Sequence, residues 1–453
     1  MTWITNLATV HVVGIGGAGM SGVARLLAER GLVVSGCDAV ESATTAELRA
    51  VGVTVDIGHD AHHVAGADVV LWSPAIDADL AELVAALDAG ARLVSRGELL
   101  ADLGECQAVI GLAGTHGKTT ATSMMVHVLH AAGRDDGRLL GAPVLGVGAN
   151  GHFGPDGLVL EVDESYGTFA SLSPAALGLL NVEADHLDHY HSMAALDSAF
   201  AGLVDRTTGP VVVWSDDTGV ARVGGRVRHP LVTVGLGPES RWRVSDVRLE
   251  RRWSRFSLTG PRGDLEVELR VTGAHNVANA AVVAVLALDL DVAPVAVTKG
   301  LGVFRGAPRR FQLLGTWRGA DVYEDYAHLP GEISATLSAT RAIGYERVTA
   351  VFQPHRVTRT AHLADQFAPS FDLAARVIVT DIYSVGEPNP AKLTGEIVAQ
   401  ALRSRRGAAS VVYAPTLDDV AAALETLHDQ SDAVLLLGAG NVASVAARLD
   451  VVT

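Results

Sequence analysis

Residues 111–133 read GLAGTHGKTTATSMMVHVLHAAG, an apolar strand that enters a glycine-containing loop and continues as a helix. Gly117, Lys118 and Thr119 form the Gly-Lys-Thr ending of a P-loop, where backbone N–H groups at a helix N-terminus bind phosphate. A lysine at this position reaches the β- and γ-phosphates, and the threonine hydroxyl binds Mg²⁺. Leu112 stands where the standard pattern has glycine, so the sequence predicts a shortened P-loop.

A second strand–glycine–helix pattern occurs earlier, in HVVGIGGAGMSGVARLLAERG at residues 11–31. Gly14, Gly16 and Gly19 fit the Gly-x-Gly-x-x-Gly pattern, and Asp38 follows the next strand at the spacing of a ribose contact. Taken alone, this pattern indicates dinucleotide binding, although such glycines also serve simple tight turns. The chain therefore carries two candidate phosphate-binding loops.

Carboxylates and histidines follow two further predicted strands. Glu161, Asp163 and Glu164 lie in EVDESYGTF, and clustered carboxylates repel one another unless a cation or a basic group is near. Mg²⁺ is commonly bound by one or two carboxylates together with phosphate oxygens. A solvated acidic turn is the alternative. The next strand end brings a second group, which consists of Asp185, His186, Asp188, His189 and His191.

Four more polar groups stand at helix starts or strand ends. Asparagines at a helix start can read an adenine edge or only cap the helix. Arginine forks suit phosphate and carboxylate groups, although surface charge explains them equally. In chain order the residues are His275, Asn276 and Asn279; Arg305, Arg309 and Arg310; Asp325, Tyr326 and His328; and His355, Arg356 and Arg359.

Strand and helix patterns alternate along most of the chain, which predicts an α/β fold with parallel, doubly wound sheets. DLEVELRV, at residues 264–271, alternates apolar and polar residues and predicts a half-exposed antiparallel strand. Composition and motif spacing divide the chain into domains at 1–105, 106–302 and 303–453.

The composition excludes several classes of partner. The net charge of −16 argues against nucleic acid and anionic membrane surfaces. Cys37 and Cys106 lie in no CxxC or Cys/His motif, so the sequence predicts neither a disulfide framework nor a zinc site. The first residues lack the basic and apolar regions of a signal peptide. We expect a soluble, cytoplasmic protein that acts as a monomer or homodimer.

The order of these motifs resembles the Mur ligase family. The motifs are GIGGAGMSGVA, GTHGKTT, EVDES, NVEADHLDHY, HNVANAA, RRFQ, EDYAH and FQPHRVTRT. The resemblance implies three domains: an N-terminal Rossmann-like domain for a UDP-sugar, a central P-loop ATPase-like domain, and a C-terminal Rossmann-like domain for an amino acid. It further implies ATP-dependent amide formation between UDP-N-acetylmuramate and L-alanine through an acyl phosphate, in peptidoglycan precursor synthesis, with two Mg²⁺ ions or with Mn²⁺.

The resemblance also assigns site residues. For the UDP-sugar they are Gly16, Gly17, Ala18, Gly19, Met20, Ser21, Asp38, Ser73 and Arg96. For ATP they are Gly114, Thr115, His116, Gly117, Lys118, Thr119, Thr120, Asn276, Arg310 and Asp325. The implied metal ligands are Thr119, Glu161 and His186, and Tyr326, His355, Arg356 and Arg359 face the amino acid. Lys118, Glu161, His186 and Arg310 carry the implied catalytic roles.

The chain departs from the family pattern where the amine substrate is chosen. Leu329 and Gly331 replace a histidine and a threonine, and the loop at 384–394 is short. A related ligase for another amino acid or another nucleotide-linked acid therefore remains an alternative. Two other classes are an NAD(P)-binding oxidoreductase that uses the first glycine loop, and a nucleotide-sensing scaffold without turnover.

Overall fold

The computed structural model describes residues 4, 9–74, 76, 77, 79–384, 386–427 and 431–452. The chain forms two compact units. The first comprises Met1–Arg248, Ser254–Arg270 and Ala274–Phe304, and the second comprises Leu249–Trp253, Val271–Gly273 and Arg305–Thr453. The domain boundaries near 105 and 302 stay predictions.

The first part of unit 1 alternates strands and helices. These are β1 (Thr9–Val13), α1 (Ala18–Glu29), β2 (Val33–Asp38), α2 (Ala43–Ala50), β3 (Thr54–Ile57), β4 (Val69–Trp72), α3 (Ala81–Asp88), β5 (Arg92–Ser95) and α4 (Arg96–Cys106). The strands pair in parallel in the order β3-β2-β1-β4-β5. Winding therefore reverses at β1, and the glycine loop that follows β1 lies at the topological switch point, where α/β sheets bind ligands.

The second part of unit 1 builds a larger sheet. Its elements are β6 (Val109–Ala113), α5 (Lys118–Ala131), β7 (Asp136–Leu139), β8 (Gly151–Pro155), β9 (Leu158–Val162), β10 (Ala176–Leu179), α6 (Leu187–Tyr190), α7 (Met193–Arg206), β11 (Val211–Trp214), α8 (Thr218–Gly224), β12 (Leu231–Gly235), β13 (Trp242–Leu249), β14 (Ser254–Gly260), β15 (Gly263–Leu269), α9 (Ala274–Asp289) and α10 (Pro294–Val303). The strand order is β15-β14-β13-β12-β11-β10-β6-β9-β7-β8. Because β10, β6 and β9 are adjacent and parallel, their carboxyl ends meet at one edge.

The two ends of this sheet differ in how well the sequence predicts them. β14 and β15 pair antiparallel, and Leu265, Val267 and Leu269 are buried at alternate positions, so the predicted half-exposed strand is confirmed. The antiparallel pair of β7 and β8 was not predicted, because its glycine-rich sequence shows no alternation of apolar residues.

Strand β8 packs closely on helix α1. A methyl group on Gly151 would overlap the backbone of Gly22, so this approach requires glycine. The Asn150 amide donates to the Ala18 carbonyl at 2.8 Å, and the Glu29 carboxylate accepts from the backbone of Phe153 at 3.0 Å. These contacts join the two sheets of unit 1.

Unit 2 holds a sheet of its own. Its elements are β16 (Gln312–Trp317), β17 (Ala320–Asp325), α11 (Pro330–Ala342), β18 (Val348–Phe352), α12 (Val357–Ser370), β19 (Arg376–Val379), α13 (Glu396–Arg406), β20 (Val411–Tyr413), α14 (Leu417–Leu427), β21 (Ala433–Leu437) and α15 (Val445–Arg448). The order is β16-β17-β21-β18-β19-β20, with β16 antiparallel and the other pairs parallel. Strands β18 and β21 are buried at every residue, as continuous apolar runs predict for parallel sheets.

The α/β class and the doubly wound sheets are confirmed. In the part of the chain that the structure describes, no helix has both the length and the hydropathy needed to cross a membrane.

Candidate active site

The P-loop connects β6 to α5 at the carboxyl edge of the larger sheet. Leu112 is fully buried within β6, which explains why the loop begins only at Gly114. Gly114 and Gly117 have positive φ angles of 146° and 80°. A side chain on Gly114 would press on the backbone of Asn181, and one on Gly117 would press on the Asn279 amide. Lys118 opens the helix, whose first N–H groups have no partner within the helix and can face an anion.

Asn181, which follows β10, holds the loop in shape. Its side-chain oxygen accepts from the Thr115 hydroxyl at 2.8 Å and from the His116 backbone N–H at 2.7 Å. Its amide nitrogen donates to the His116 carbonyl at 3.0 Å. The sequence alone indicates no role for Asn181, although this residue opens the NVEADHLDHY motif immediately after a buried strand.

We expect Asn181→Ala to lower kcat/KM for ATP about 10–50-fold, because three hydrogen bonds that preorganise the loop are lost. Most of the loss should appear as a higher KM for ATP. Initial rates measured across ATP concentrations would test this. Ser198→Ala, an exposed site on α7, is the control. An unchanged KM in a folded Asn181→Ala variant would contradict the role.

Lys118 is paired with a buried carboxylate. Its Nζ donates to Glu164 at 2.8 and 3.0 Å and to the Thr115 carbonyl at 3.1 Å. The Glu164 side chain is 0% exposed and that of Lys118 is 14% exposed. Burial raises the pKa of Glu164, and the nearby Lys118 charge only partly offsets this effect. Glu164 therefore holds the ammonium group at the loop.

Thr119 meets the first acidic residue of the motif. Its hydroxyl donates to Glu161 Oε1 at 2.9 Å, and Glu161 Oε2 accepts from the Gly141 backbone at 2.7 Å. A hydroxyl and a carboxylate oxygen side by side at the start of a phosphate-binding helix are the hard donors that Mg²⁺ takes. These two residues therefore fit the Mg²⁺ site that the sequence suggests.

His186 lies beside the other two acids of this motif. Donor atoms of Asp163, Glu164 and His186 are all within 4.8 Å of one another, which is close enough for one cation. His186 has a positive φ of 51°, a strained conformation of the kind found at functional sites. Although burial opposes it, hydrogen bonds from Ser165 and the Arg96 charge lower the pKa of Asp163. The side chain of Asp188 lies outside the described residues.

A cavity of about 200 Å³ opens beside the P-loop. This volume is below the roughly 300–1,000 Å³ of sites for whole drug-sized ligands and suits a single ring system. Its lining includes Asn181, Trp214, Asp216, His275 and Asn279. Asn181 and Asn279 also contact the P-loop, so the cavity lies next to the candidate phosphate site. Asn276 is half-buried between lining residues of α9.

The first glycine loop is held by Asp38, which ends β2. The Asp38 carboxylate accepts from the Gly16 backbone at 2.8 Å, and a side chain on Gly16 would press on it. Asp38 thus shapes the loop, whereas the sequence suggested contact with a ribose or uridine. A contact with ligand stays a prediction.

Arg96 connects this loop to the acidic group. Its guanidinium lies against Gly19, where a side chain would clash, and Nη1 is 3.5 Å from Asp163. Within the described residues, Arg96 Nε is buried without a hydrogen-bond partner. An unpartnered guanidinium nitrogen between the first glycine loop and the acidic group fits the predicted role in binding a UDP-sugar.

The other predicted UDP-sugar residues differ in exposure. Gly17 is exposed at the start of α1, whereas Met20 and Ser21 are buried. The Ser21 hydroxyl donates to the Ala18 carbonyl at 3.2 Å, and Ser73 follows β4 half-buried. The side chains of Met20 and Ser21 therefore face the protein interior.

Unit 2 separates the roles of its two adjacent arginines. Arg309 donates to Glu324 at 3.1 Å and to the Gly438 and Gly440 carbonyls at 3.0 Å. Arg310 is exposed, with its guanidinium carbon 5.7 Å from the Tyr326 ring centre. The sequence does not indicate this internal role of Arg309. Because Arg309 is already hydrogen-bonded within the unit, Arg310 is the arginine that is available to a ligand.

Asp325 is held by the backbone around it. Its carboxylate accepts from the backbone of Phe311 and Ala327, each at 2.8 Å. Burial raises the pKa of Asp325, and these two hydrogen bonds partly offset the effect. The predicted ribose contact stays a prediction.

A basic group gathers at the carboxyl ends of β17, β18 and β19. The rings of His328 and His355 are 5.8 Å apart, and His355 stacks on Tyr383 at 5.9 Å. Burial, helped by the charges of His328 and Arg359, lowers the pKa of His355 to about 4. His355 is therefore neutral near pH 7.

The two arginines beside this group differ in their partners. Arg356 pairs with Glu387 at 2.9 Å, whereas Arg359 Nη1 faces His355 Nδ1 at 3.4 Å. Among the described side chains, no carboxylate lies within ion-pair distance of Arg359. Glu387 belongs to the short loop at 384–394, of which residue 385 lies outside the described residues.

Comparison with known proteins decides the family. Three family models match in order: the Mur ligase family catalytic domain at residues 9–106, the Mur ligase middle domain at 112–287, and the Mur ligase glutamate ligase domain at 309–440. A UDP-N-acetylmuramate–L-alanine ligase of Burkholderia cenocepacia is 38% identical over 451 residues, which cover 97% of each chain. This chain belongs to the Mur ligase family. The resemblance and the three-domain architecture inferred from the motifs are confirmed.

Solved structures agree with this assignment. The UDP-N-acetylmuramate-alanine ligase MurC from Thermotoga maritima matches this Mur ligase with a TM-score of 0.80, 29% identity and 98% coverage of both chains. A murein peptide ligase from Psychrobacter arcticus matches with a TM-score of 0.69, 25% identity and the same coverage. None of these comparisons favours the oxidoreductase alternative.

Proposed function

We propose that this Mur ligase joins the carboxylate of UDP-N-acetylmuramate to the amine of L-alanine, with hydrolysis of ATP, as a step of peptidoglycan precursor synthesis. The observation that carries the proposal is the P-loop assembly, in which Lys118 is held by Glu164 while Thr119 meets Glu161. This arrangement would present the Lys118 ammonium group to the phosphates of one triphosphate, and the oxygens of Thr119 and Glu161 to its Mg²⁺ ion. The 38% identical relative carries the same substrates in its name.

The chemistry requires activation of a carboxylate. A carboxylate is a poor electrophile, and transfer of the γ-phosphoryl group to its oxygen makes an acyl phosphate with ADP as the leaving group. Such a transfer needs mainly positioning and charge stabilisation. The loop N–H groups and Lys118 supply positive charge at the β- and γ-phosphates.

Mg²⁺ would be held by Thr119 and Glu161, with Asp163, Glu164 and His186 as candidates for a second ion. When bound, such an ion neutralises charge on the phosphate oxygens and orients the reacting groups. Arg96, between the first glycine loop and Asp163, would orient the nucleotide-sugar acid toward the same charges.

The amine would then attack the acyl phosphate, forming the amide and releasing inorganic phosphate. We assign the amino-acid carboxylate to Arg359, because Arg356 is already paired with Glu387. Because the His355 ring is neutral near pH 7, Arg359 is the positively charged member of this pair of side chains. The predicted roles of Tyr326, Arg310 and Asp325 belong to the same proposal. We further propose a cytoplasmic enzyme that acts as a monomer or homodimer on small molecules and binds no nucleic acid or membrane.

Phosphate release tests the reaction and its amine. With UDP-N-acetylmuramate, ATP and Mg²⁺, we expect release to depend on L-alanine and to exceed release with glycine or L-serine by at least 10-fold, since a missing or added small group is worth about 1–3 kcal/mol. The amide product should form in equal amount, which mass spectrometry can measure.

Two results would redirect the proposal. Turnover with a murein peptide in place of alanine would make the chain a peptide ligase like the Psychrobacter arcticus protein. The complete absence of phosphate release with every amine, from a folded sample that binds ATP, would leave a nucleotide-binding scaffold.

A further inference from the structure

A buried group of metal-ligating side chains lies in the first sheet, outside the candidate active site. His11 is on β1, Cys37 is on β2, and Glu82 is on α3, while His59 and His63 flank the start of the 3-10 turn Ala61–Val64. His11, Cys37 and Glu82 are each 0% exposed. The sequence separates these residues widely, which is why no zinc motif was predicted.

The distances between donor atoms match those around one tetrahedral ion. Cys37 Sγ is 3.7 Å from His59 Nδ1 and 3.4 Å from Glu82 Oε1. Zn–S bonds of about 2.3 Å and Zn–N or Zn–O bonds of about 2.0–2.1 Å give tetrahedral edges of roughly 3.3–3.6 Å. His59 Nδ1 and Glu82 Oε1, at 2.9 Å, would move apart by a few tenths of an ångström.

Two buried atoms in this group are left without partners. Glu82 Oε1 accepts from Cys37, His59 and the Asp60 backbone, whereas Glu82 Oε2 has no partner among the described residues. His63 Nδ1 lies 3.5 Å from Glu82 Oε1 without a hydrogen bond. An unpaired oxygen on a buried carboxylate is costly, and a cation bound by both oxygens of Glu82 would satisfy it.

A hydrogen-bond network without a metal ion explains this choice of side chains less well than a metal site does. In that arrangement the Cys37 thiol and the His59 ring both donate to one carboxylate oxygen, while the other oxygen of Glu82 remains unpaired. Hydroxyl or amide side chains would serve such a network as well as a thiol does. A thiol, imidazoles and a carboxylate together are instead the ligand set typical of zinc.

We propose that Cys37, His59 and Glu82 bind a Zn²⁺ ion, with a water molecule in the fourth position. On binding, the Cys37 thiol loses its proton to solvent and the His59 imidazole coordinates through Nδ1 in its neutral form. His11, which contacts Ser35 at 3.0 Å and faces Cys37, orients the sulfur from behind. The soft thiolate excludes Mg²⁺, so this site is chemically separate from the ATP site.

The ion would stabilise the end of β2. Cys37 precedes Asp38, which holds Gly16, and the Cys37 carbonyl accepts from the backbone of Gly14 and Ile15 at 2.9 and 3.0 Å. A metal bonded to Cys37 would connect this strand end to the turn at 59–64 and to α3. It would therefore fix the position of the first glycine loop without touching substrate.

Metal analysis and cobalt spectroscopy on the full chain test the site. We expect close to one zinc per chain after purification in zinc-containing buffer without chelator. Replacement by Co²⁺ should produce a thiolate-to-cobalt charge-transfer band in the near ultraviolet. Removal of the metal with a chelator should lower the Tm of the first unfolding transition on the order of 5 °C or more.

Matched variants assign the ligands. Cys37→Ser should lose the cobalt band and at least nine-tenths of the zinc, whereas Cys106→Ser, at the other cysteine, should keep both. His59→Ala, at a more exposed position, provides a second test if Cys37→Ser does not fold. A folded wild-type chain that takes up no zinc and shows no thiolate–cobalt band would overturn the proposal. Equal zinc content in Cys37→Ser would do the same.

Discussion

Replacing Lys118 with alanine is expected to lower kcat by about 10²–10³-fold, because a preorganised positive charge at the transferring phosphoryl group is lost. The same change should also lower the free energy of unfolding by about 3–5 kcal/mol, since it leaves Glu164 as an unpaired buried carboxylate. Phosphate-release kinetics and denaturant unfolding would measure the two effects. Lys299→Ala, an exposed lysine on α10 of the same unit, is the control.

The double variant Lys118→Ala/Glu164→Gln separates catalysis from stability. A neutral amide at position 164 removes the unpaired charge, so we expect stability to recover by most of the lost amount while kcat stays low. Recovery of kcat together with stability in the double variant would contradict the catalytic role of Lys118.

The stability loss in Lys118→Ala should also depend on pH. Burial already raises the pKa of Glu164 above its unfolded value, and removal of Lys118 raises that pKa further. A group with a raised pKa stabilises the folded state below its unfolded pKa, and that contribution is lost as the pH rises through the folded value. The loss of unfolding free energy in Lys118→Ala should therefore be smaller at pH 5 than at pH 8.

Replacing Glu161 with glutamine is the second change with a large expected effect. The amide keeps the size of the side chain, and its one oxygen can still accept from either Thr119 or Gly141, but it loses the charge that would hold Mg²⁺. We expect kcat at a fixed Mg²⁺ concentration to fall on the order of 10²-fold or more, because a bound ion contributes several kcal/mol of charge stabilisation.

The measurement for Glu161→Gln is initial rate against Mg²⁺ concentration. The curve should shift to higher Mg²⁺, and Mn²⁺, which binds such sites more tightly, should restore part of the rate. Glu105→Gln, an exposed acid-to-amide change in α4, is the control. A Mg²⁺ dependence that matches the unmodified enzyme would assign the ion to other ligands.

Local sequence patterns predict the parts of this fold that repeat a simple period. The alternation in β15 and the apolar runs of β6, β18 and β21 have the structure that their periods predict, because burial of one or both faces decides them. Strands β7 and β8 were missed, because Gly137, Gly151 and Gly154 pack by backbone approach and leave no hydrophobic signal.

The sequence predicts those residues of the candidate site that belong to a single motif. Lys118 and Thr119 follow from the P-loop alone. Their partners do not, because Glu164 and Asn181 reach the loop only through the pairing of β6 with its neighbours β9 and β10. Arg309 and Arg310 are adjacent and of the same residue type, and the internal hydrogen bonds of Arg309 distinguish them in the structure.

The close approach of Gly22 and Gly151 limits how this chain can be recombined with its relatives. A chimera that imports the first hundred or so residues from another ligase also imports a new surface on α1, while the host keeps the β8 that was fitted to the old one. Exchange should therefore succeed only when helix α1 and the segment at 150–153 are transferred as a matched pair. We also expect substitutions in these two segments to be correlated among related ligases, although the segments are distant along the gene.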